Sequence, residues 1–154
     1  MNLSKIDIQE FENHNYFATS DLVDVVNAAI FLNKPLLIEG PAGTGKTYLA
    51  KTLSKLLQKD LIRLQCHEGI DEDKAIYEWN YKKQLLSIQN EKNEKDLFTE
   101  EFLIERPILK SIKNDNCLFL VDEVDRSDEE FEALLLEVLA ENQVSIPELG
   151  TIVG

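Results

Sequence analysis

The stretch Pro35-Leu36-Leu37-Ile38-Glu39-Gly40-Pro41-Ala42-Gly43-Thr44-Gly45-Lys46-Thr47 decides how the rest of the chain is read. Its last eight residues fit G-x-x-x-x-G-K-[ST], in which backbone N–H groups wrap a phosphate chain at a helix N-terminus. Glycines serve there because the backbone must curl closely around the ligand, with some residues at positive φ. Lys46 would reach the β- and γ-phosphates, and the Thr47 hydroxyl would ligate Mg²⁺. Four fixed positions match by accident in a chain of this length roughly one time in 200, and the context lowers those odds. Leu36-Leu37-Ile38 reads as a strand buried on both faces, and Leu49, Ala50, Leu53, Leu56 and Leu57 fall at helical spacing after the loop. The competing reading, a glycine-rich turn with no ligand, does not require that strand, loop, helix order. The segment Gly40 to Thr47 is therefore expected to hold a nucleoside triphosphate, ATP with Mg²⁺.

Outward from the loop, Asp60 to Cys66 reads as a second strand and Cys117-Leu118-Phe119-Leu120-Val121 as a third. Asp122 and Glu123 follow the C-terminal end of that third strand, the usual ligand edge of an α/β sheet. Alone, such acids are commonly solvated loop ends. Beside a phosphate loop they suit a division of labour: Asp122 would hold Mg²⁺ directly or through water, and Glu123 would orient and activate the attacking water.

Helices are expected where apolar residues recur at i, i+3, i+4 spacing. Ser20 can cap one that buries Leu22, Val25, Val26, Ala29 and Ile30 and stops at Asn33 and Pro35. Pro107 can begin a short helix through Ile112. Ser127 with Glu130 makes a capping box ahead of Phe131, Leu134, Leu135, Val138 and Leu139. Gln143 to Ile146 looks like the start of a strand. Met1 to Asn15 is polar and aperiodic, a lead-in, and Glu91 to Asp96 is a charged stretch. Tyr77, Trp79 and Tyr81 suit packing better than stacking on a base. Arg126 either pairs on the surface beside Asp125 or faces a neighbouring subunit's nucleotide.

The chain has 154 residues, 44% of them hydrophobic and 8% aromatic, which fits one core-forming globular domain. No apolar run reaches membrane-span length and the N-terminus lacks a secretory pattern, so a cytoplasmic protein is expected. Cys66 and Cys117, with His14 and His67, form no zinc pattern. With 16 Lys and Arg against 29 Asp and Glu the formal net charge is −13, which disfavours nucleic acid as a partner.

With both motifs in place the chain resembles an AAA+ ATPase of the MoxR group, and within it the CoxD-type ATPases associated with carbon monoxide dehydrogenase maturation. The resemblance rests on PLLIEGPAGTGKT from Pro35, IRLQCHEGID from Ile62, KAIYEWNYKKQLL from Lys74, RPILKSI from Arg106 and LFLVDEVDRSDEEFEALLLEVLAENQVSIPELGTI from Leu118. It implies a three-layer αβα fold around a parallel sheet, an N-terminal lead-in and helix over residues 1–33, and a partial ATPase core over 34–154. Within that core, Gly40, Pro41, Ala42, Gly43, Thr44, Gly45, Lys46, Thr47 and Tyr48 would contact nucleotide, with Tyr16 and Phe17 near the adenine. It further implies ATP hydrolysis that drives remodelling of a protein partner, a metalloenzyme client among the options, by a hexameric ring working with a von Willebrand factor A-domain protein.

In that family a sensor strand, an intersubunit arginine and a helical lid follow the point corresponding to Gly154. The sensor strand would lie between the strand before Gly40 and the strand before Asp122, so both are expected to lack a neighbour, as in a fragment or half of a split protein. The alternatives are a non-hydrolysing nucleotide-binding module, or a subunit completed in trans. A small-molecule kinase is disfavoured by Glu123 beside Asp122 and by the lack of acceptor-site features.

Overall fold

The computed structural model describes residues 5–41, 43–90 and 96–154; Ala42 and most of the charged stretch from Glu91 lie outside the described residues. The chain divides into two compact units, residues 1–61 and 62–154.

The first unit opens with a helix that the aperiodic reading of Met1 to Asn15 missed. Helix α1 (Ile8–Asn13) is started by a capping box in which Asp7 accepts the Glu10 N–H at 2.9 Å and Glu10 accepts the Asp7 N–H at 2.8 Å. One apolar residue, Phe11, anchors it, fully buried. Helix α2 (Ser20–Leu32) forms where expected but buries Val23 and Val26 and leaves Val25 50% exposed, and Thr19 is the cap with Ser20 already helical: the Leu22 N–H reaches Thr19 Oγ1 at 3.3 Å. Asn33, left-handed at φ 50°, ends it. Asn27 ties the segment before α1 to this helix, accepting the Ile6 N–H at 2.9 Å and donating to the Ile6 carbonyl at 2.8 Å.

Leu36-Leu37-Ile38 is not a strand. The backbone from Lys34 to Pro41 carries no regular structure, and Leu37 is 72% exposed. Apolar character alone does not make a strand. Its N–H and C=O groups need a ladder, and among the described residues no strand pairs with this segment. Helix α3 (Lys46–Leu56) follows the loop and buries Leu49, Ala50, Thr52 and Leu53.

Strand β1 (Asp60–Gln65) begins at the end of the first unit and continues into the second. It pairs with β4 (Cys117–Asp122) in parallel, the two C-terminal ends side by side, where the Cys66 N–H donates to the Asp122 carbonyl at 2.9 Å. Alternation along β1 buries Ile62 and Leu64 and leaves Arg63 and Gln65 on the other face.

Between these strands, α4 (Glu72–Ile76) leads into β2 (Tyr77–Trp79), which pairs antiparallel with β3 (Leu103–Glu105); α5 (Tyr81–Asn90) lies between the two in sequence. Tyr77 and Trp79 are buried, with the Trp79 ring edge-on to Tyr77 at 5.8 Å and to Phe98 at 5.2 Å, whereas Tyr81 is 65% exposed. Two of the three aromatics are therefore core. Helix α6 (Pro107–Ile112) starts at its proline and buries Ile108, Leu109 and Ile112. Helix α7 (Glu129–Glu141) buries Phe131, Leu135 and Val138 against the same core, and a hairpin of β5 (Gln143–Ile146) and β6 (Gly150–Val153) adds Val144 and Ile146.

Candidate functional site

In the first unit the loop from Gly40 to Thr47 is held by its own side chains. Lys46 Nζ donates to the Gly40 and Pro41 carbonyls at 2.5 and 2.8 Å, and Thr44 Oγ1 donates to the Pro41 carbonyl at 2.9 Å. The ammonium is thereby held on the carbonyls at the start of the loop. Gly43 and Gly45 have φ of 80° and 88°, left-handed backbone that a side chain would strain. Gly45 caps α3, and no side chain caps that helix end, so its first N–H groups and the positive end of its dipole face the loop. Thr47 sits half-buried on the first turn.

Tyr16 and Tyr48 stack at 6.0 Å with ring planes 23° apart. The Tyr48 hydroxyl donates to the His14 carbonyl at 3.2 Å, and Tyr16 lies against Phe11 and within 3.8 Å of where a Gly45 side chain would begin. Burial pushes the Tyr16 phenol up from its ordinary pKa. The structure thus brings Tyr16 and Tyr48 to the loop's helix end, while Phe17 is 87% exposed.

In the second unit β4 delivers Asp122 at its C-terminal end. The carboxylate, 16% exposed, accepts a charge-assisted hydrogen bond from Arg63 of β1 at 2.7 Å. Glu123 adopts a left-handed backbone (φ 57°, ψ 39°) and opens a 3-10 turn over Val124–Arg126. Arg126, at the end of that turn, makes its surface pair with Glu123, at 3.3 Å, where a pair beside Asp125 was expected. Buried Cys66 lies behind these acids, its thiol pushed up by burial and then by Asp122, Asp125 and Glu123.

Arg63 escaped the sequence reading. Its only signal was an isolated cation between the apolar residues Ile62 and Leu64.

The donor types suit a triphosphate with a hard divalent cation: backbone N–H groups and an ammonium for the phosphates, hydroxyl and carboxylate oxygens for the ion. Among the described residues no group of three or more His, Cys, Asp or Glu could hold a metal ion. Mg²⁺ held through phosphate oxygens, one hydroxyl and one carboxylate needs no such cluster.

A family model described as an AAA domain of the dynein-related subfamily matches residues 35–154. The chain belongs to this AAA family. Membership makes it a nucleotide-binding phosphate-loop domain of mixed α/β structure. Curated relatives include an uncharacterized protein of Staphylococcus aureus (strain USA300), 26% identical over 141 residues, covering 91% of this chain and 49% of the relative. An uncharacterized protein of Staphylococcus saprophyticus is 29% identical over 128 residues, covering 82% and 44%. The AAA chain described here thus spans about half the length of the curated relatives it matches. No described helix is long and apolar enough to cross a membrane.

Proposed function

We propose that this AAA domain binds ATP·Mg²⁺ through Gly40 to Thr47 and Asp122 and, within the assembled full-length protein, hydrolyses ATP to remodel a protein partner. The observation that carries the reading is the state of Lys46: its ammonium rests on the Gly40 and Pro41 carbonyls, inside a loop with left-handed glycines and an uncapped helix end. A phosphate at that helix end would meet the first N–H groups of α3 and the Lys46 ammonium, which would exchange its contacts with the two carbonyls for phosphate oxygens.

In hydrolysis Lys46 would hold the β- and γ-phosphate oxygens, Thr47 and Asp122 would hold the ion, and Glu123 would orient a water and take its proton as the water's oxygen bonds to the γ-phosphorus and ADP leaves. The bound ion supplies neutralisation of the charge that builds on the phosphate oxygens. Tyr16 and Tyr48 flank the adenine end, with Phe17 as an exposed neighbour.

The sequence likeness to MoxR and CoxD-type ATPases supports the finer reading: a three-layer αβα core, a hexameric ring, a von Willebrand factor A-domain partner and a metalloenzyme client in the cytoplasm. Co-purification of the full-length protein with such a partner tests it. A second reading, a non-hydrolysing module or a subunit completed in trans, is favoured because among the described residues no strand pairs with Leu36 to Ile38. Turnover that appears only when a polypeptide bearing a sensor strand is added supports it; turnover by this chain alone contradicts it.

A further inference from the structure

Asp122 is held by the neighbouring strand at two points. The Cys66 N–H donates to its main-chain carbonyl at 2.9 Å, and the Arg63 guanidinium donates to its carboxylate Oδ2 at 2.7 Å. Arg63 and Cys66 lie three residues apart at the end of β1, and the parallel register with β4 brings both to a residue 59 positions beyond Arg63. We propose that Arg63 is a positioning residue for the divalent cation: it fixes the carboxylate of Asp122 in the orientation that receives the ion or its water. The inference rests on the reading of Asp122 as the ion's protein ligand.

Two effects of a guanidinium here oppose each other. Its charge repels a nearby cation, and its hydrogen bond removes the rotational freedom of the carboxylate before the ion arrives. The Arg63 side chain is 41% exposed, so water screens the repulsion, and the charge is already spent on the carboxylate it pairs with. Orientation is not screened. Partners that orient metal-binding carboxylates typically change metal affinity by about 10- to 100-fold when removed. Arginine suits the task because its planar fork directs an N–H along a fixed line, whereas a lysine would offer a rotating point charge.

The test is calorimetric titration of the whole chain with a non-hydrolysable ATP analogue, in excess Mg²⁺ and in EDTA. Wild type is expected to bind more tightly with Mg²⁺. R63A is expected to bind about ten-fold more weakly than wild type in Mg²⁺ and equally in EDTA. R63Q keeps an N–H donor without the charge and should recover part of the loss; if R63A does not fold, R63Q carries the test with a smaller Mg²⁺-specific loss. Unchanged or tighter binding of the variants in Mg²⁺ overturns the proposal, and so does weakening by the same factor in both media, which is damage to the fold. If wild type binds but gains nothing from Mg²⁺, the reading of Asp122 fails and this inference with it. If wild type binds no nucleotide, the phosphate-loop reading itself is wrong.

Discussion

At the scale of single residues, the two acids at the end of β4 have different partners, which suits the different tasks proposed for them. Asp122 is mostly buried and fixed by Arg63; Glu123 is two-fifths exposed, with its ion pair to Arg126 on the surface. A surface pair of this kind is worth little and yields easily to a substrate. Glu123→Gln preserves shape and the left-handed turn, so nucleotide affinity should stay within a factor of about two, since uniform binding is untouched. Turnover of the assembled full-length protein should fall by roughly 10²- to 10⁴-fold, the usual worth of a general base. Parallel binding and phosphate-release assays check both halves of that statement. Cys66 offers a pH readout in the same place. Its pKa is raised, so its thiolate fraction at pH 8 lies below that of an ordinary cysteine, and its side chain is fully buried. The thiolate is the reactive form, so iodoacetamide should modify Cys117 first in the native protein and both residues alike in urea. Peptide mass spectrometry over time distinguishes the order.

At the scale of elements, a one-residue shift in a helix start has a measurable consequence. The S-x-x-E pattern points to Ser127 as the cap of α7, yet the Phe131 N–H goes to Asp128 at 2.9 Å, while Ser127 Oγ donates back to the Val124 carbonyl at 2.6 Å. Asp128→Ala should therefore cost about 1 kcal/mol, with Ser127→Ala costing less. For a chain this size the Asp128 variant should melt roughly 2–4 °C lower.

This pair shows what is legible in the linear chain. The apolar stripe of α7 marks the helix because burial of one face repeats along it, through Phe131, Leu135 and Val138 with Leu134 partly buried, although Leu139, expected on that face, is 41% exposed. The cap depends on which of two adjacent oxygens faces the first N–H groups, and composition does not encode that. The same holds for Thr19 before α2. Helix α1 was illegible because six residues with one buried apolar side chain make no period. The strand expected at Leu36 to Ile38 failed for the opposite reason: local character was right, but a strand exists only with a partner. In the site, the phosphate-loop pattern can be read from sequence because phosphate chemistry demands residue types at fixed local spacing. Arg63 cannot, since its contact depends on the register of two strands far apart in sequence.

At the scale of the whole molecule, a net charge of −13 sets the terms for any anionic ligand. A triphosphate approaches an acidic protein against the average field, so binding must come from local features: backbone N–H groups, the Lys46 ammonium and the charge of an accompanying divalent cation. Nucleotide binding that depends on Mg²⁺ and on one lysine is what such a balance predicts. The chain covers 49% of the length of its Staphylococcus aureus relative, so the turnover and remodelling proposed above are properties to seek in the full-length protein. The most direct measurement is the melting temperature of this chain with and without millimolar ATP and Mg²⁺, beside Lys46→Ala. A ligand at about 100 times its dissociation constant stabilises by about 2.7 kcal/mol, several degrees for a chain this size. The wild type is expected to show that rise and Lys46→Ala to lose it; no rise in the wild type, or an equal rise in the variant, would contradict nucleotide binding at this loop.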